Sequence, residues 1–487
     1  MSILPQRSAG MSAKDLVDKG VTAIPPGEVL RRHILGLLKQ NKSLQDLFPS
    51  TILPDDTLEG VVSALIARGH ILLFGPSGSG KTNLAKDIWN LFPKEMLIVD
   101  ACPLQDSPFS LVDATFARQM PPCPFCRSRF ADQGTDEFGD FKVENIDPAK
   151  VPVARVRLRE GFGFARIQGS NEVFPDFLTG NINLHKLEEI GDPESPLVLE
   201  PGKLLQANRG LCIIDEIGKL PLGTQNVLLQ ALQEGIVSPA KSRETFPARF
   251  VAVCTSNLAD LDNINEPLND RLISIHVKFN REHPRNRRIV TMAYRPEVFM
   301  PEPYVDGAVG IVERWREVAG DNPDLTEVGS NRSMIDLVLR TEAYALLAGR
   351  RYPSLADFKT GVRDAMHGRV RARGGDSFEH NSKVIDAFLE KGVEEELKEW
   401  ARACWCSFFK SIGEKRDLGE KVVRQFRRIK DDPTMVPKVG ANFPEFALFV
   451  QWAEKRYSGD INDSLYLFSV LEDADVFGGE KLQVECK

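Results

Sequence analysis

The chain has 487 residues, 42% of them hydrophobic and 27% charged, with 62 Lys+Arg against 69 Asp+Glu for a net charge of −7. These proportions exclude disordered, collagenous and fibrous classes, and the length predicts about three domains at ~150 residues each. No run approaches the ~18–20 apolar residues of a membrane-spanning helix, and residues 1–10 lack the apolar stretch of a secretory signal, so a cytoplasmic protein without a membrane span is expected. The acidic balance gives no general field for nucleic acid, and such a partner is not expected. Eight cysteines are too sparse for a disulfide scaffold.

In chain order, residues 1–55 read as a lead-in segment with a helix over 28–39, where Val29, Leu30, Ile34, Leu37 and Leu38 recur at helical spacing. A helix is predicted over 58–68, an apolar strand over 70–74 ending in a Gly-rich turn, and a helix over about 81–91. Further buried strands are predicted at 96–100, 211–214 and 250–255. Strands separated by helices predict a parallel sheet covered on both faces, an α/β domain over 56–279. Residues 102–192 interrupt it with many Pro, Gly and Asp and are too long for an ordinary loop, so they read as an insertion with its own structure. From 280 the text becomes helical up to a break at Gly374-Gly375, which gives an all-α domain over 280–375. Residues 376–487 form a mostly helical third region whose role the sequence does not reveal.

The strongest chemical signal is Gly75-Pro76-Ser77-Gly78-Ser79-Gly80-Lys81-Thr82, which fits G-x-x-x-x-G-K-[ST] between a predicted strand and helix. Its glycines let backbone N–H groups and a helix N-terminus converge on a phosphate chain. Lys81 adds a cation at the β and γ phosphates, and Thr82 offers a hydroxyl to Mg²⁺. At 211–216, four apolar residues deliver Asp215 and Glu216 to the end of a strand where ligands bind in open α/β sheets. Asp215 suits the Mg²⁺ shell and Glu216 suits polarising a water. An apolar strand ending in Asp-Glu is common by itself; beside the phosphate loop, each motif supplies what the other needs. The strand at 250–255 leads to Asn257, whose amide can bond a γ-phosphate or orient the water. Arg271, in Leu268-Asn269-Asp270-Arg271-Leu272, stands where it could reach a phosphate in another subunit, with a surface salt bridge as the competing reading.

This order of motifs resembles the AAA+ ATPases, specifically the helix-two-insert branch of the MoxR proteins and the ATPase subunit of magnesium chelatase, over about residues 56–373. Beyond the phosphate loop the resemblance is carried by 58–65, 201–210, 228–235, Ser330-Asn331-Arg332 and 340–357. It implies Lys81 and Thr82 as Walker A, Asp215 and Glu216 as Walker B, Asn257 as sensor 1, Arg271 as an arginine finger, and Arg332 as sensor 2 at the start of a lid helix. It further implies a P-loop NTPase sheet followed by an all-α lid, with ATP held by Gly75 to Thr82 and Asp215, and Mg²⁺ by Thr82 and Asp215. Hydrolysis of ATP to ADP and phosphate would use Glu216, Asn257, Arg271 and Arg332 in a homo-oligomeric ring, a hexamer being expected because the finger comes from a neighbour. For the work done, the first reading is MoxR-type remodelling or activation of a partner protein, such as one carrying a von Willebrand factor A domain on another chain. The alternatives are the motor subunit of a magnesium or cobalt chelatase, an MCM-like nucleic-acid translocase, and a non-enzymatic nucleotide-gated scaffold.

Residues 170–200 resemble the helix-two insert in position, and 235–250 a hairpin before sensor 1. Phe177 and Leu178, or Lys241 and Arg243, are candidates to line a ring's pore, against a packing reading. The departure from the family is the span of 134 residues between Lys81 and Asp215, whose excess lies around 102–147. There Cys123-Pro-Phe-Cys126 has the spacing of half a zinc site, with Cys102 as a third thiolate and His185 as the candidate fourth ligand. A structural Zn²⁺ and plain buried thiols both stay open. Cys212 and Cys254, in apolar strands, read as inert core residues. The string Arg363, His367, Arg369, Arg371 and Arg373 reads as a solvated helix end, with contact to a neighbouring subunit or a nucleic acid as the second reading.

Overall fold

The computed structural model describes residues 10–457 except 194, 241, 299, 301, 322–328, 350–352, 354, 368–382, 384, 385, 387–402, 404, 414 and 430–435. Lys241, Arg369, Arg371, Arg373 and the Gly374-Gly375 break lie outside the described residues. The chain divides into two compact units, Met1–Lys278 and Phe279–Lys487.

The first unit is built on eight principal strands: β1 (His70–Phe74), β2 (Glu95–Val99), β3 (Pro152–Arg157), β4 (Arg159–Glu160), β5 (Gly163–Gln168), β6 (Leu211–Asp215), β7 (Val251–Ser256) and β8 (Leu272–His276). Six of them form one sheet in the order β8-β1-β7-β6-β5-β4, with every pairing parallel. Near-continuous apolar runs in β1, β6 and β7 demand cover on both faces, and the chain supplies it. On one face Ile71, Leu73, Ile213 and Val253 pack under α1 (Pro26–Lys39), α2 (Asp55–Ile66) and α3 (Lys81–Leu91) through Leu30, Ile34, Leu58, Val61, Leu84 and Ile88. On the other, Leu72, Cys212, Ile214, Ala252 and Cys254 pack with Leu204, Leu205, Leu228 and Phe246. Cys212 and Cys254 are thus inert core thiols, and burial pushes the Cys212 thiol up to about 12.

Two strands differ from expectation. The run predicted as a strand at 96–100 does form β2, but β2 pairs antiparallel with β3 in a separate three-stranded sheet completed by Met11–Ser12. Its apolar side packs Ile98 onto Ala154 and Val156, which mimics the texture of a central strand. On the side away from β7, β6 is flanked by β5, which lies inside the segment read as an insertion.

Register then aligns the strand ends that matter. Ser256 pairs with Phe74, Ile214 with Cys254, and Asp215 with Gln168, so the Gly75 loop, Asp215, Asn257 and Gln168 emerge along one edge. The helix α3 is anchored from behind: the buried carboxylate of Asp87 accepts from Ser50 N, Ser50 Oγ and Thr51 Oγ1 at 3.0, 2.6 and 2.9 Å. That ties the lead-in segment to the helix that begins at Lys81. Two further helices of this unit are used below, α4 (Pro124–Arg129) and α5 (Leu222–Glu234).

Among the described residues the second unit is helical: α6 (His283–Ala293), α7 (Glu302–Asp321), α8 (Asn331–Leu347), α9 (Leu355–His367), α10 (Arg416–Ile429) and α11 (Pro444–Tyr457), with the shorter Val436–Asn442. Its core joins Tyr304, Trp315, Met334 and Phe358 with Trp405, Phe408, Phe446 and Phe449. A capping box between Ser330 and Ser333 starts α8. No helix among the described residues is long and apolar enough to cross a membrane.

Candidate functional site

The phosphate loop turns from β1 into α3 through Gly78 at φ 73° and Gly80 at φ 102°, backbone values that glycine adopts without a Cβ penalty. Gly80 caps α3 and Lys81 is its first residue, so the free N–H groups of the helix open onto the loop. The buried Lys81 ammonium donates to Gly75 O (2.9 Å), Pro76 O (2.7 Å) and Asn257 Oδ1 (3.2 Å).

The carboxylate pair sits opposite. Asp215 is 3% exposed, and both of its oxygens are engaged. Its Oδ1 accepts from Thr82 Oγ1 and Thr255 Oγ1, each at 3.2 Å, while its Oδ2 accepts from Arg166 Nε at 2.9 Å and Arg166 Nη2 at 2.5 Å. Glu216 lies in the left-handed region at φ 54°, a sparsely populated conformation for a residue with a side chain. It is held there by its N–H to Thr255 Oγ1 (3.0 Å). Its carboxylate accepts from Gln168 Nε2 (3.0 Å), Lys219 Nζ (3.0 Å) and Asn257 Nδ2 (3.4 Å). Asn257 therefore bridges the Lys81 ammonium and the Glu216 carboxylate with opposite ends of one amide.

Five of the residues singled out from sequence, Lys81, Thr82, Asp215, Glu216 and Asn257, thus meet in one hydrogen-bonded cluster. Arg271 lies outside it: its guanidinium donates to Pro267 O (2.8 Å) and to Gln233 Oε1 (2.9 Å) on α5. Arg332 is exposed at the start of α8, in the second unit. Of the pore candidates, Phe177 is 50% exposed and Arg243 is exposed, but Leu178 is fully buried in the core and is excluded from that role. His185 is not the fourth cysteine partner, because its side chain is 95% exposed and pairs with Glu188; the carboxylate of Asp106 stands with the three thiols instead. Sequence reading also missed Arg166, Gln168 and Thr255. The signal for the first two was the alternation Phe164-Ala165-Arg166-Ile167-Gln168, which is a half-polar strand.

The site suits a magnesium nucleotide by its own chemistry. Ser79 Oγ is buried in the loop with no hydrogen-bond partner, a donor left for an oxyanion. Thr82 and Asp215 present hard oxygen donors side by side, the type Mg²⁺ takes.

A parallel sheet in this order, with a phosphate loop after β1 and an acidic pair ending β6, is the fold of the AAA+ class of P-loop NTPases. A family model described as "PrkA AAA domain" matches residues 64–293, just under half of the chain. Serine/threonine kinase YeaG of Escherichia coli (strain K12) is 26% identical over 258 residues, covering 46% of this chain and 39% of that protein. Archaeal Lon protease of Methanothermobacter thermautotrophicus is 25% identical over 264 residues, covering 45% of this chain and 41% of its own length. This chain therefore spans well under half the length of the curated relatives it matches. Among solved structures, the complex between subunits BchI and BchD of magnesium chelatase is 20% identical, covering 68% of this chain and 98% of that chain at a TM-score of 0.34.

Proposed function

We propose that this protein is an ATP hydrolase that works as an AAA+ ring, probed first as a remodeller of a partner protein. The observation that carries the reading is the Asn257 amide, which joins the lysine of the phosphate loop to the carboxylate beside Asp215. In this reading the loop N–H groups, Ser79 Oγ and Lys81 bind the β and γ phosphates, and Thr82 and Asp215 hold Mg²⁺. When bound, Mg²⁺ supplies positive charge across the phosphate oxygens. Glu216 accepts a proton from a water as that oxygen bonds to the γ-phosphorus, and the bond from phosphorus to the ADP oxygen breaks. Asn257 and Gln168 orient the Glu216 carboxylate for this task. Arg271 lends its guanidinium to the nucleotide of a neighbouring subunit, and Arg332 couples the nucleotide to the helical unit; these two roles rest on the motif positions given above.

The similarity to a protein named a serine/threonine kinase supports a second reading, transfer of the γ-phosphate to a protein hydroxyl. Both begin at the same phosphate grip and differ in the acceptor. A γ-labelled ATP assay separates them: hydrolysis predicts that label leaves as inorganic phosphate, whereas a kinase predicts label retained on protein. The partner is sought with Glu216→Gln protein, which keeps ATP bound. Capture of a von Willebrand factor A domain protein supports the MoxR-type role, a porphyrin-binding subunit the chelatase role, and DNA with steep salt dependence the translocase role.

A further inference from the structure

Independently of that reading, the insertion holds a second site. Cys102 follows β2, Asp106 lies four residues on, Cys123 caps α4 and Cys126 sits in its first turn. One ligand atom from each of the four side chains lies within 4.8 Å of the other three, and all four residues are buried, at 3%, 2%, 0% and 2% exposure. We propose that Cys102, Asp106, Cys123 and Cys126 bind one structural Zn²⁺ in a Cys₃Asp tetrahedron.

Three observations support a metal over a cluster of core thiols. The edge of a tetrahedron is about 1.6 times its centre-to-corner distance, so Zn–S bonds of ~2.3 Å place sulfurs ~3.8 Å apart. Cys102 Sγ and Cys123 Sγ lie 3.7 Å apart, near that edge and far beyond the ~2.05 Å of a disulfide. Next, backbone donors are aimed at two of the sulfurs, as they are around metal-bound thiolates. Asp106 N donates to Cys102 Sγ at 3.3 Å and Cys126 N to Cys123 Sγ at 3.4 Å, the latter from the first turn of α4. Last, the pocket buries a carboxylate among three thiols. Asp106 Oδ2 accepts from Cys123 N at 2.6 Å, which fixes the carboxylate against the thiols. The buried Arg209, whose Nη1 donates to Leu97 O and Gln105 O at 2.8 Å each, is the neighbouring cation and supplies one positive charge near Cys102 and Asp106. A divalent cation would compensate the thiolates and carboxylate that these side chains become on binding it, charges that are otherwise costly to bury.

The site also answers a folding need. Between residues 102 and 147 the regular elements are helices of three to six residues, too short to stand alone. A metal joining the Cys-Pro-Phe-Cys turn to the end of β2 would pin that stretch where Leu104, Phe109, Leu111, Phe116 and Phe130 join the core. The same turn reaches outward: Phe125 lies 6.0 Å from Phe246, and Arg127 pairs with Glu244. Through them the metal braces the strand Phe246–Pro247 just before β7, the strand that leads to Asn257.

The test is metal analysis of the untagged full-length chain purified without chelators from zinc-supplemented cells. About one zinc per chain is expected, set by one four-ligand site, and at least a tenfold loss in Cys126→Ser or Asp106→Ala. Because those variants can misfold, Asp106→Cys is a second check: it completes a four-thiolate site, keeps the zinc, and on cobalt exchange strengthens the thiolate-to-metal absorption of the wild type. Wild-type protein with zinc below a tenth of stoichiometric overturns the proposal. So do stoichiometric iron in place of zinc, a Cys102–Cys123 disulfide in the intact mass, or zinc retained in the triple Cys102→Ser, Cys123→Ser, Cys126→Ser chain.

Discussion

Gly169 offers a direct test of whether the position of Glu216 matters for turnover. Its N–H donates to Asp215 O at 2.7 Å where β5 ends beside β6. A Cβ added there would stand 2.8 Å from the carbonyl carbon of Glu216 and 2.9 Å from Asp215 O, with Glu216 O closer still. Ordinary carbon contacts begin near ~3.5 Å, so Gly169→Ala forces the Glu216 peptide or the end of β5 to move by the better part of ~1 Å. Both neighbours are backbone, so no side chain can swing aside. A misplacement of this size at a reacting group costs on the order of 10²-fold in rate, or about 2.7 kcal/mol of transition-state stabilisation. The phosphate loop is built from β1 and α3 and is not displaced, so ATP affinity should stay within a few-fold. The assay is phosphate release at saturating ATP, alongside nucleotide binding by fluorescence or calorimetry. A Gly169→Ala protein that melts like the wild type and hydrolyses within twofold of its rate would refute the argument that Glu216 must stand where it does.

Other consequences follow from the same geometry. Asn257→Ala removes the bridge between Lys81 and Glu216 and should lower turnover by ~10²-fold with ATP still bound, the scale of a mispositioned general base; an equal loss of binding and turnover would instead assign Asn257 to nucleotide capture. Arg271→Ala should bind ATP and lose turnover, and mixing it with inactive Lys81→Ala protein should restore part of the activity, since each subunit lends what the other lacks. Mixed rings no more active than the parents would place the finger elsewhere. His70 sets an acid limit on stability. Its Nδ1 accepts the Ala252 N–H at 3.1 Å, and burial pushes it down to about 4 from 6.5. Between those values the unfolded chain binds the extra proton, so stability rises with pH there and is lost as pH falls from 6.5 toward about 4. The loss is at most about 3 kcal/mol. Urea midpoints at about pH 7 and about pH 5 should converge in His70→Asn, which keeps a neutral acceptor, and an unchanged gap would point to other groups.

What could be read from the sequence was whatever depends on neighbours along the chain. The phosphate loop was legible because glycine spacing, the lysine and the flanking apolar strand and helix are all local. Asp215, Glu216 and Asn257 were legible because each closes a buried run. The partners that hold these residues were not. Arg166 and Gln168 reach Asp215 and Glu216 only because β5 pairs with β6 in a register that sets Gln168 beside Asp215. A slip of one residue would send both side chains to the other face, and nothing within 163–168 fixes that register. Placing 96–100 among the strands of the parallel sheet, and leaving 163–168 inside the insertion, failed for the same reason: both offer short runs of the right length, and only pairing with distant segments separates them. Phe177 and Leu178 show the effect at its smallest scale. They are adjacent and both apolar, in the five-residue helix Pro175–Thr179, yet one is half exposed and the other wholly buried. Asp106 is the same case in the insertion. It has no periodicity to announce it, and it joins the thiols because the turn after β2 brings it under Cys123 N, a contact across 17 positions of the insertion. Residue type thus predicts which chemistry is present, while the pairing of distant segments decides which groups share it.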